Sequence, residues 1–294
     1  MKIFAIIVTY NPNPCILKEC IDSLKSQTDC IVIVNNGNVT TSDAFILLEK
    51  EKSNIHSINL GKNYGIAYAQ NQGIEYAIKE NANFVLFSDQ DTIYPENFIQ
   101  DSLNCYNKHS KEKIAAIVPL FYNENKKQFA QINIAKTKSI NPIIGKEYYV
   151  THSISSGTFS PISVFNDVGM MNERLFIDWV DYEWCWRAVN KGFKIICDTN
   201  IVIHHNMGDS FKNVLGRKIV VYSDFRNFYF FRNGTWLLWH SHLFNFREWI
   251  GFKNFMFLKT ILFFITCGFS IKHLKLYFSA IKQGITNKFT LEAK

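Results

Sequence analysis

The chain has 294 residues, and 47% of them are hydrophobic, so it is globular by composition and can bury a sizeable core. Its net charge of +7 is modest, and no nucleic-acid-binding motif accompanies it, so we expect no nucleic-acid partner. Seven scattered cysteines never form a CxxC pair, so their spacing indicates neither a zinc site nor a disulfide framework and favours a reducing, cytoplasmic environment.

The first hundred residues alternate strand-like and helix-like segments. The pattern predicts strands over residues 3–8, 30–34, 55–58 and 84–87 and helices over 15–27, 43–52 and 66–80. Such alternation is typical of an α/β fold with a mostly parallel sheet flanked by helices. We therefore expect the polar residues that follow the strands to share one edge of the sheet: Thr9, Asn35, Asn36, Asn63 and Asp89.

Two carboxylates, Asp89 and Asp91, follow the fourth predicted strand directly. Like charges this close repel each other unless a cation or hydrogen bonds stabilise them. A divalent ion that carries a diphosphate would do so, since Mg²⁺ takes one or two protein carboxylates together with phosphate oxygens. In the alternative interpretation, Asp91 caps the next helix ahead of Pro95, and Asp89 is a solvated loop residue.

The pattern is weaker over residues 114–150, with a strand predicted at 115–119 and a lysine-rich surface excursion at 123–138. Residues 175–187 then hold three acids and three tryptophans. On the helix predicted over 183–191, Arg187 would bind Glu183 four residues before it, whereas Asp181 would point elsewhere. A carboxylate among aromatic rings suits a general base. Alternatively, this is an amphipathic helix, and the helix dipole stabilises the acids in its first turn.

Residues 236–284 are rich in aromatic and aliphatic side chains, with lysines between them. We place a domain boundary between residues 235 and 236, and we expect helices that lie in a membrane interface over 236–294. A membrane span over 255–271 is a second possibility, and a helical cap or dimer contact is a third.

Seven short motifs occur in an order that resembles glycosyltransferase family 2. Within that family the chain is most similar to the bacterial rhamnosyltransferases of O-antigen and polysaccharide biosynthesis. The resemblance covers residues 2–233 and rests on Val8-Thr9-Tyr10-Asn11, Val34-Asn35-Asn36-Gly37, Asn63-Tyr64-Gly65, Ser88-Asp89-Gln90-Asp91, Ser156-Gly157, Asp181-Tyr182-Glu183-Trp184-Cys185-Trp186-Arg187 and His205. The chain departs from much of the family at Asn35 and Glu183, where aspartate is common.

The resemblance implies a GT-A type fold, a nucleotide-sugar donor, Mg²⁺ or Mn²⁺, and inversion at the anomeric carbon. Asp181 falls at the catalytic base, and Asp91, Asp89 and His205 fall at the metal, with His204 as an alternative to His205. Support of the acceptor and the base loop would fall to Asp178, Glu183, Trp184 and Arg187. The nucleotide sugar would contact Thr9, Tyr10, Asn35, Asn36, Asn63, Asp89 and Gly157.

We therefore expect transfer of L-rhamnose from dTDP-rhamnose to a polyprenyl-diphosphate-linked glycan, at the inner face of the cell membrane. One alternative is a hexosyltransferase that uses UDP-glucose or UDP-galactose. Another is a non-catalytic carbohydrate-binding subunit, which would have no need to keep both Asp91 and Asp181. A nucleotidyltransferase is disfavoured, because no glycine-rich basic loop follows the first predicted strand.

Overall fold

The computed structural model describes residues 1–38, 54–205, 211–214 and 217–289, with the backbone alone at 205, 211–214 and 217–220. The chain divides into two compact units. The first unit comprises Met1–Phe176 and Val180–His205, and the second comprises Ile177–Trp179 and Asn206–Lys294. The helix predicted over residues 43–52 lies outside the described residues. The domain boundary at residues 235–236 stays a prediction.

The first unit begins with four parallel strands, and their predicted positions are confirmed. The elements are β1 (Ile3–Thr9), α1 (Pro14–Leu24), β2 (Cys30–Asn35), β3 (Ile55–Asn59), α2 (Ile66–Lys79) and β4 (Phe84–Asp89). Helix α1 begins where the Asn13 side chain accepts hydrogen bonds from two backbone amides of the first turn, and it buries the side chains of Leu17, Ile21 and Leu24. The carboxyl ends of the four strands share one edge of the sheet, as expected.

The rest of the first unit extends this sheet and covers it. It comprises α3 (Phe98–Lys108), β5 (Ile114–Asn123), β6 (Gln128–Phe129), β7 (Ile132–Ala135), β8 (Lys138–Ile140), β9 (Glu147–Val150), β10 (Phe159–Pro161), α4 (Val164–Val168), a 3₁₀ helix (Glu173–Leu175), α5 (Val180–Asn190) and β11 (Lys194–His205). The strand order is β3-β2-β1-β4-β10-β5-β11-β9, with β6 paired to β5, while β7 and β8 form a separate hairpin.

Strand β10 is antiparallel to both of its neighbours, β4 and β5. The loop that enters β10 therefore arrives at the edge where β4 ends. The sheet is mixed, and the α/β class predicted from the sequence is confirmed.

The second unit contains the hairpin β12 (Phe211–Val214) and β13 (Arg217–Val220), followed by α6 (Asp224–His240), α7 (Phe246–Cys267) and α8 (Ile271–Thr286). Helix α7 begins with a capping box, in which Asn245 and Glu248 satisfy each other's backbone amides. The span considered over residues 255–271 is wrong, because α7 ends at Cys267 and a new helix begins at Ile271. By length and composition, α7 itself is the one helix of the described chain that could cross a membrane.

Candidate active site

Hydrogen bonds between neighbouring strand ends hold the edge formed by β1, β2 and β3. Thr9 is fully buried, and its backbone carbonyl accepts a hydrogen bond from Asn36 N at 2.8 Å. Asn35 Nδ2 donates to Asn59 Oδ1 at 3.1 Å, across the β2–β3 pair. The side chain of Asn35, which is predicted to face a nucleotide, is therefore held by the neighbouring strand.

Asn36 connects the end of β2 to the loop that begins α2. Its Nδ2 donates to Asn63 Oδ1 at 3.0 Å, and its Oδ1 accepts from Tyr64 N at 2.8 Å. Gly65 follows with a φ of +91°, and a Cβ there would lie 2.6 Å from Phe176 O. This close approach requires glycine, and it lets Ile66 N donate to Phe176 O at 2.7 Å. The loop between β3 and α2 is thereby joined to the segment that precedes Asp181.

The Asp89–Asp91 turn is held by the residue between the two acids. Gln90 Oε1 accepts a hydrogen bond from Tyr10 N at 2.8 Å, which ties this turn to the end of β1. The Asp89 side chain is half-exposed and that of Asp91 is exposed. The capping interpretation of Asp91 is wrong, because α3 begins at Phe98 and its N-cap position is Asn97.

A loop over residues 151–158, which we call the serine loop, binds both acidic segments. Ser156 Oγ accepts a hydrogen bond from Asp89 N at 3.2 Å and lies 2.8 Å from Thr92 Oγ1. The preceding residue, Ser155, donates its backbone N–H to Asp181 Oδ2 at 3.1 Å. The predicted metal acids and the predicted base are thus brought to adjacent residues of one loop.

The serine loop is itself anchored on both sides. Gly157 N donates to Phe87 O at 2.8 Å, and a Cβ on Gly157 would lie 2.7 Å from Pro119 Cγ. Trp186 Nε1 donates to His152 Nδ1 at 3.1 Å. Burial lowers the pKa of His152 to about 3, so this ring stays neutral as an acceptor. Gly157 therefore has a packing role, and its contact with a nucleotide sugar stays a prediction.

Asp181 lies in the first turn of α5, where it is half-buried. Its Oδ1 accepts from Tyr182 N at 2.9 Å, while its Oδ2 accepts from the serine loop. These two bonds orient the carboxylate. The arrangement suits a general base.

The second acid of α5, Glu183, is buried against Arg187. Arg187 Nε donates to both carboxylate oxygens of Glu183, at 2.9 and 3.0 Å, as the spacing of four residues predicts. The same guanidinium donates to the carbonyls of Val168 and Met170 at 2.7 and 2.6 Å. Burial raises the pKa of Glu183, and its contacts with Arg187 and Asn172 oppose the shift. Trp184 adds a bond from Nε1 to Gly169 O at 2.9 Å, so these residues join α5 to the turn after α4.

Asp178 belongs to the second unit and is held there by two side chains. Arg226 donates to Asp178 Oδ1 at 2.6 Å, and Asn233 Nδ2 donates to the Asp178 carbonyl at 3.1 Å. Burial raises the pKa of Asp178, and Arg226 opposes the shift. Asp178 and Trp179 both have positive φ, at 61° and 69°, a strained conformation of the kind that clusters at functional sites.

Two neighbouring histidines, His204 and His205, are the candidates for a third metal ligand. His204 is exposed, and its Nδ1 contacts Glu124 on the surface. The side chain of His205 and residues 206–208 lie outside the described residues, so the role of His205 at a metal stays a prediction.

The Asp89–Asp91 turn fits a divalent cation. Its two carboxylates offer oxygen donors at the accessible edge of the sheet, which is the donor type that Mg²⁺ and Mn²⁺ prefer. Sequence reasoning missed the contributions of Gln90, Ser155 and Ser156. The only signal was the position of Gln90 and Ser156 inside the DQD and Ser-Gly motifs and of Ser155 directly before the second motif, since their partners are distant in sequence.

Comparison with known proteins identifies similar chains. The family model described as glycosyl transferase family 2 matches residues 4–167. The dTDP-rhamnosyl transferase RfbF of Shigella flexneri is 37% identical over 293 residues, which cover 97% of this chain and 95% of that protein. A low-salt glycan biosynthesis hexosyltransferase of Haloferax volcanii is 28% identical over 184 residues, or 59% of this chain and 58% of that protein.

Solved structures are similar in fold at low sequence identity. S. aureus TarS 1–349 in complex with UDP-GlcNAc has a TM-score of 0.66 at 15% identity, covering 97% of this chain and 82% of that one. GalNAc-T7 with UDP, GalNAc and Mn²⁺ has a TM-score of 0.59 at 12% identity, covering 90% and 58%. These likenesses confirm the predicted GT-A type α/β fold.

Proposed function

The chain belongs to glycosyltransferase family 2, and from this we propose that it moves L-rhamnose from dTDP-rhamnose to a lipid-linked glycan, with metal dependence and inversion. The observation that carries the proposal is the serine loop, which brings Asp89 and Asp181 to adjacent residues. Transfer between a diphosphate and an acceptor hydroxyl needs a site for the leaving group and a base for the acceptor at one edge. The similarity to a dTDP-rhamnosyl transferase over 97% of the chain supports the choice of sugar.

In this proposal, Asp181 accepts the proton of the acceptor hydroxyl as its oxygen bonds to the anomeric carbon. The bond from that carbon to the diphosphate oxygen breaks in the same displacement, so the configuration is inverted. Ser155 N–H and Tyr182 N–H hold the carboxylate in place before the proton arrives. Proton transfer by a positioned side chain typically contributes about 10²–10⁴-fold to the rate.

The residues that would hold Mg²⁺ or Mn²⁺ are Asp91 and Asp89, with His205 as a further candidate. The ion, when bound, neutralises charge that develops on the departing diphosphate. Gln90 positions this turn against the end of β1 through Tyr10 N. Thr9, Asn35, Asn36 and Asn63 line the edge at which we place the nucleoside.

We propose further that the second unit attaches to the inner face of the cell membrane, where a polyprenyl-diphosphate-linked acceptor would lie. Only 28% of the apolar window of α7 is buried, whereas a core helix would be mostly covered. The exposed apolar side chains of this helix include Phe257, Leu258, Ile261 and Ile265. Lys253 on the same helix is exposed and offers a charge to anionic headgroups.

A thermal-shift panel tests the donor and metal. We expect Mg²⁺ or Mn²⁺ with dTDP or dTDP-rhamnose to raise the melting temperature more than UDP, GDP or their sugars, because a ligand of the folded state stabilises it. Asp91→Asn should lose the metal-dependent part of this rise in melting temperature. The control Asp167→Asn, at an exposed acid on α4, should keep it. Preference for UDP would favour the hexosyltransferase alternative. No response to any nucleotide would contradict the proposal and favour a binding subunit.

Vesicle co-sedimentation tests the membrane. Vesicles that contain anionic lipid should bind the protein. The double variant Leu258→Glu with Ile261→Glu should abolish binding, because charged side chains would replace apolar ones that insert into the lipid. Ile143→Glu, a comparable change in the first unit at a side chain that is 59% exposed, is the control. Equal binding by all three proteins would exclude α7 as the attachment site.

A further inference from the structure

A sulfur, a nitrogen and a carboxylate converge on the first unit away from the proposed active site. Cys105 and His109 lie one helical turn apart at the end of α3, and Glu147 lies on β9, the last strand of the sheet path. One ligand atom from each of the three lies within 4.8 Å of the others. Cys105 is buried, while His109 and Glu147 are half-buried.

The cluster lies four strands away from Asp89 across the sheet, because Glu147 is on β9 and the strand order from Asp89 is β4-β10-β5-β11-β9. Helix α3 follows the Asp89–Asp91 turn and runs back to the start of β5, a strand that is parallel to β4 because β10 is antiparallel to both. Cys105 and His109 are at the end of this helix, and Cys105 lines a cavity together with Glu147 and Asp198. The cluster is therefore separate from the acids that we assign to the donor metal.

The His109 ring is oriented as a metal ligand usually is. Its Nδ1 lies 2.8 Å from Glu112 Oε1, and Tyr149 Oη donates to the same Glu112 oxygen at 2.8 Å. Its Nε2 then faces Glu147 Oε2 at 2.9 Å. Metal-binding histidines characteristically donate their second ring N–H to a carboxylate, which fixes the ring and its tautomer. Glu112 supplies such a second contact here.

A cavity that could serve as an access route adjoins the ligands Cys105 and Glu147. Cys105, Glu147 and Asp198 line one cavity of about 260 Å³. Asp198 is buried, and its Oδ1 is fixed by Asn200 N at 2.9 Å. The cavity gives room for a hydrated ion to enter and for a water to complete its coordination.

An ion pair between Lys108 and Glu147 competes with a metal ion for the Glu147 carboxylate. Lys108 Nζ lies 2.9 and 3.0 Å from the two oxygens of Glu147. The Lys108 side chain is 65% exposed, so it can turn into solvent when an ion takes its place. Without metal, a protonated His109 between Glu112 and Glu147 would form an ion-pair network, which is the competing interpretation.

We propose that Cys105, His109 and Glu147 bind Zn²⁺, with a water as the fourth ligand. Thiolate, imidazole and carboxylate together favour Zn²⁺ over Mg²⁺, which prefers oxygen alone. The ion would join the end of α3 to the edge strand β9 and so stabilise this side of the fold. Binding displaces the thiol proton of Cys105 to solvent. No sequence pattern predicted this zinc site, because its three ligands have no CxxC spacing.

Metal titration of the metal-depleted full chain tests the proposal. Zn²⁺ should bind at one site per chain in competition with a chromophoric chelator, and Co²⁺ should produce a thiolate-to-metal charge-transfer band. Cys105→Ala should abolish the Co²⁺ band, and His109→Ala should weaken Zn²⁺ binding by about 100-fold or more. Glu112→Gln changes only the second contact and should weaken binding by roughly 10–100-fold. Cys30→Ala, at a half-buried cysteine on β2, is the matched control and should bind like the wild type.

Circular dichroism checks that each variant is folded, and Glu112→Gln provides a test at a half-buried position if the replacement of buried Cys105 disrupts the fold. Zn²⁺ should raise the melting temperature of the wild type and of Cys30→Ala, but not that of Cys105→Ala. Absence of a thiolate band in the wild type, or equal Zn²⁺ binding by Cys105→Ala and Cys30→Ala, would overturn the proposal and leave the ion-pair network. The response to dTDP with Mg²⁺ should persist in Cys105→Ala, so this test is independent of the donor site.

Discussion

Ser155 donates its backbone N–H to Asp181 Oδ2 at 3.1 Å, and through this bond the proposed base depends on the loop that also holds Asp89. Neither acid is placed by its own helix or strand alone. The serine loop connects them, so a change in that loop should affect the Asp89–Asp91 turn and Asp181 together.

Replacing the proposed base, Asp181, should abolish transfer without weakening donor binding. Asp181→Asn keeps the size of the side chain and an oxygen that can accept hydrogen bonds, but an amide cannot take the acceptor proton. We expect turnover to fall by about 10²–10⁴-fold while the dissociation constant for dTDP stays within a factor of two or so, as measured by calorimetry. Asp167→Asn is the control. Retained turnover in folded Asp181→Asn would exclude Asp181 as the base.

Removing the Ser156 hydroxyl should destabilise the Asp89–Asp91 turn. Ser156→Ala leaves Asp89 N without its acceptor and the buried Thr92 hydroxyl without this partner, at a cost of about 1–3 kcal/mol in the free energy of unfolding. We expect a raised KM for the donor and a smaller metal-dependent shift in melting temperature.

A double variant separates function from stability. Thr92→Val with Ser156→Ala replaces both hydroxyls by apolar groups and should recover stability, yet Asp89 N still lacks its acceptor and the KM should stay raised. Ser102→Ala removes another buried hydroxyl, which donates to Phe98 O at 2.8 Å, and is the control. A KM that recovers with stability would assign Ser156 a purely structural role.

Two glycines in one loop provide a matched test of the close approach at Phe176. Gly61 and Gly65 both have positive φ, but a Cβ on Gly61 meets nothing within 4 Å, whereas one on Gly65 lies 2.6 Å from Phe176 O. Gly61→Ala should cost about 1 kcal/mol for its backbone conformation alone. Gly65→Ala should cost more in urea unfolding and should also lower the affinity for dTDP. Equal losses would mean that the contact with Phe176 has no role of its own.

His152 makes the stability of the fold depend on pH. Its folded pKa is about 3, so between that value and the ordinary pKa of about 6.5 the unfolded chain binds a proton that the folded chain does not. Stability conferred by the neutral ring is therefore complete above about pH 6.5 and falls as pH drops, by about 1.4 kcal/mol per pH unit. His152→Asn keeps an acceptor for Trp186 Nε1 and should remove this dependence. Urea unfolding across acidic pH measures it.

The control for His152 is His242→Asn. His242 is exposed and has a φ of +54°, a conformation that asparagine tolerates well. Its replacement should leave the pH dependence unchanged. If both variants keep the wild-type slope, the acid sensitivity arises from carboxylates elsewhere in the chain.

The sequence was sufficient for the parts of the site that are local. Hydrophobic periodicity predicted the strands whose ends carry Asn36 and Asp89, and the spacing of four predicted the Glu183–Arg187 contact. The contacts of Ser156 and Gln90 could not be predicted, because each joins segments that are distant in sequence. The positive φ of Asp178 is set by tertiary contacts, among them the bond from Arg226, that no local pattern encodes.

Strand β10 has a consequence for how the protein is made. It lies between β4 and β5, with Phe159 opposite Leu86 on one side and Ile117 on the other, although it follows both of them in the chain. A nascent chain therefore completes its first four parallel strands before it acquires the serine loop and Asp181. Until residues 159–161 pair with β4 and β5, the serine loop cannot hold Asp181 beside Asp89, so these two acids come together only late in folding.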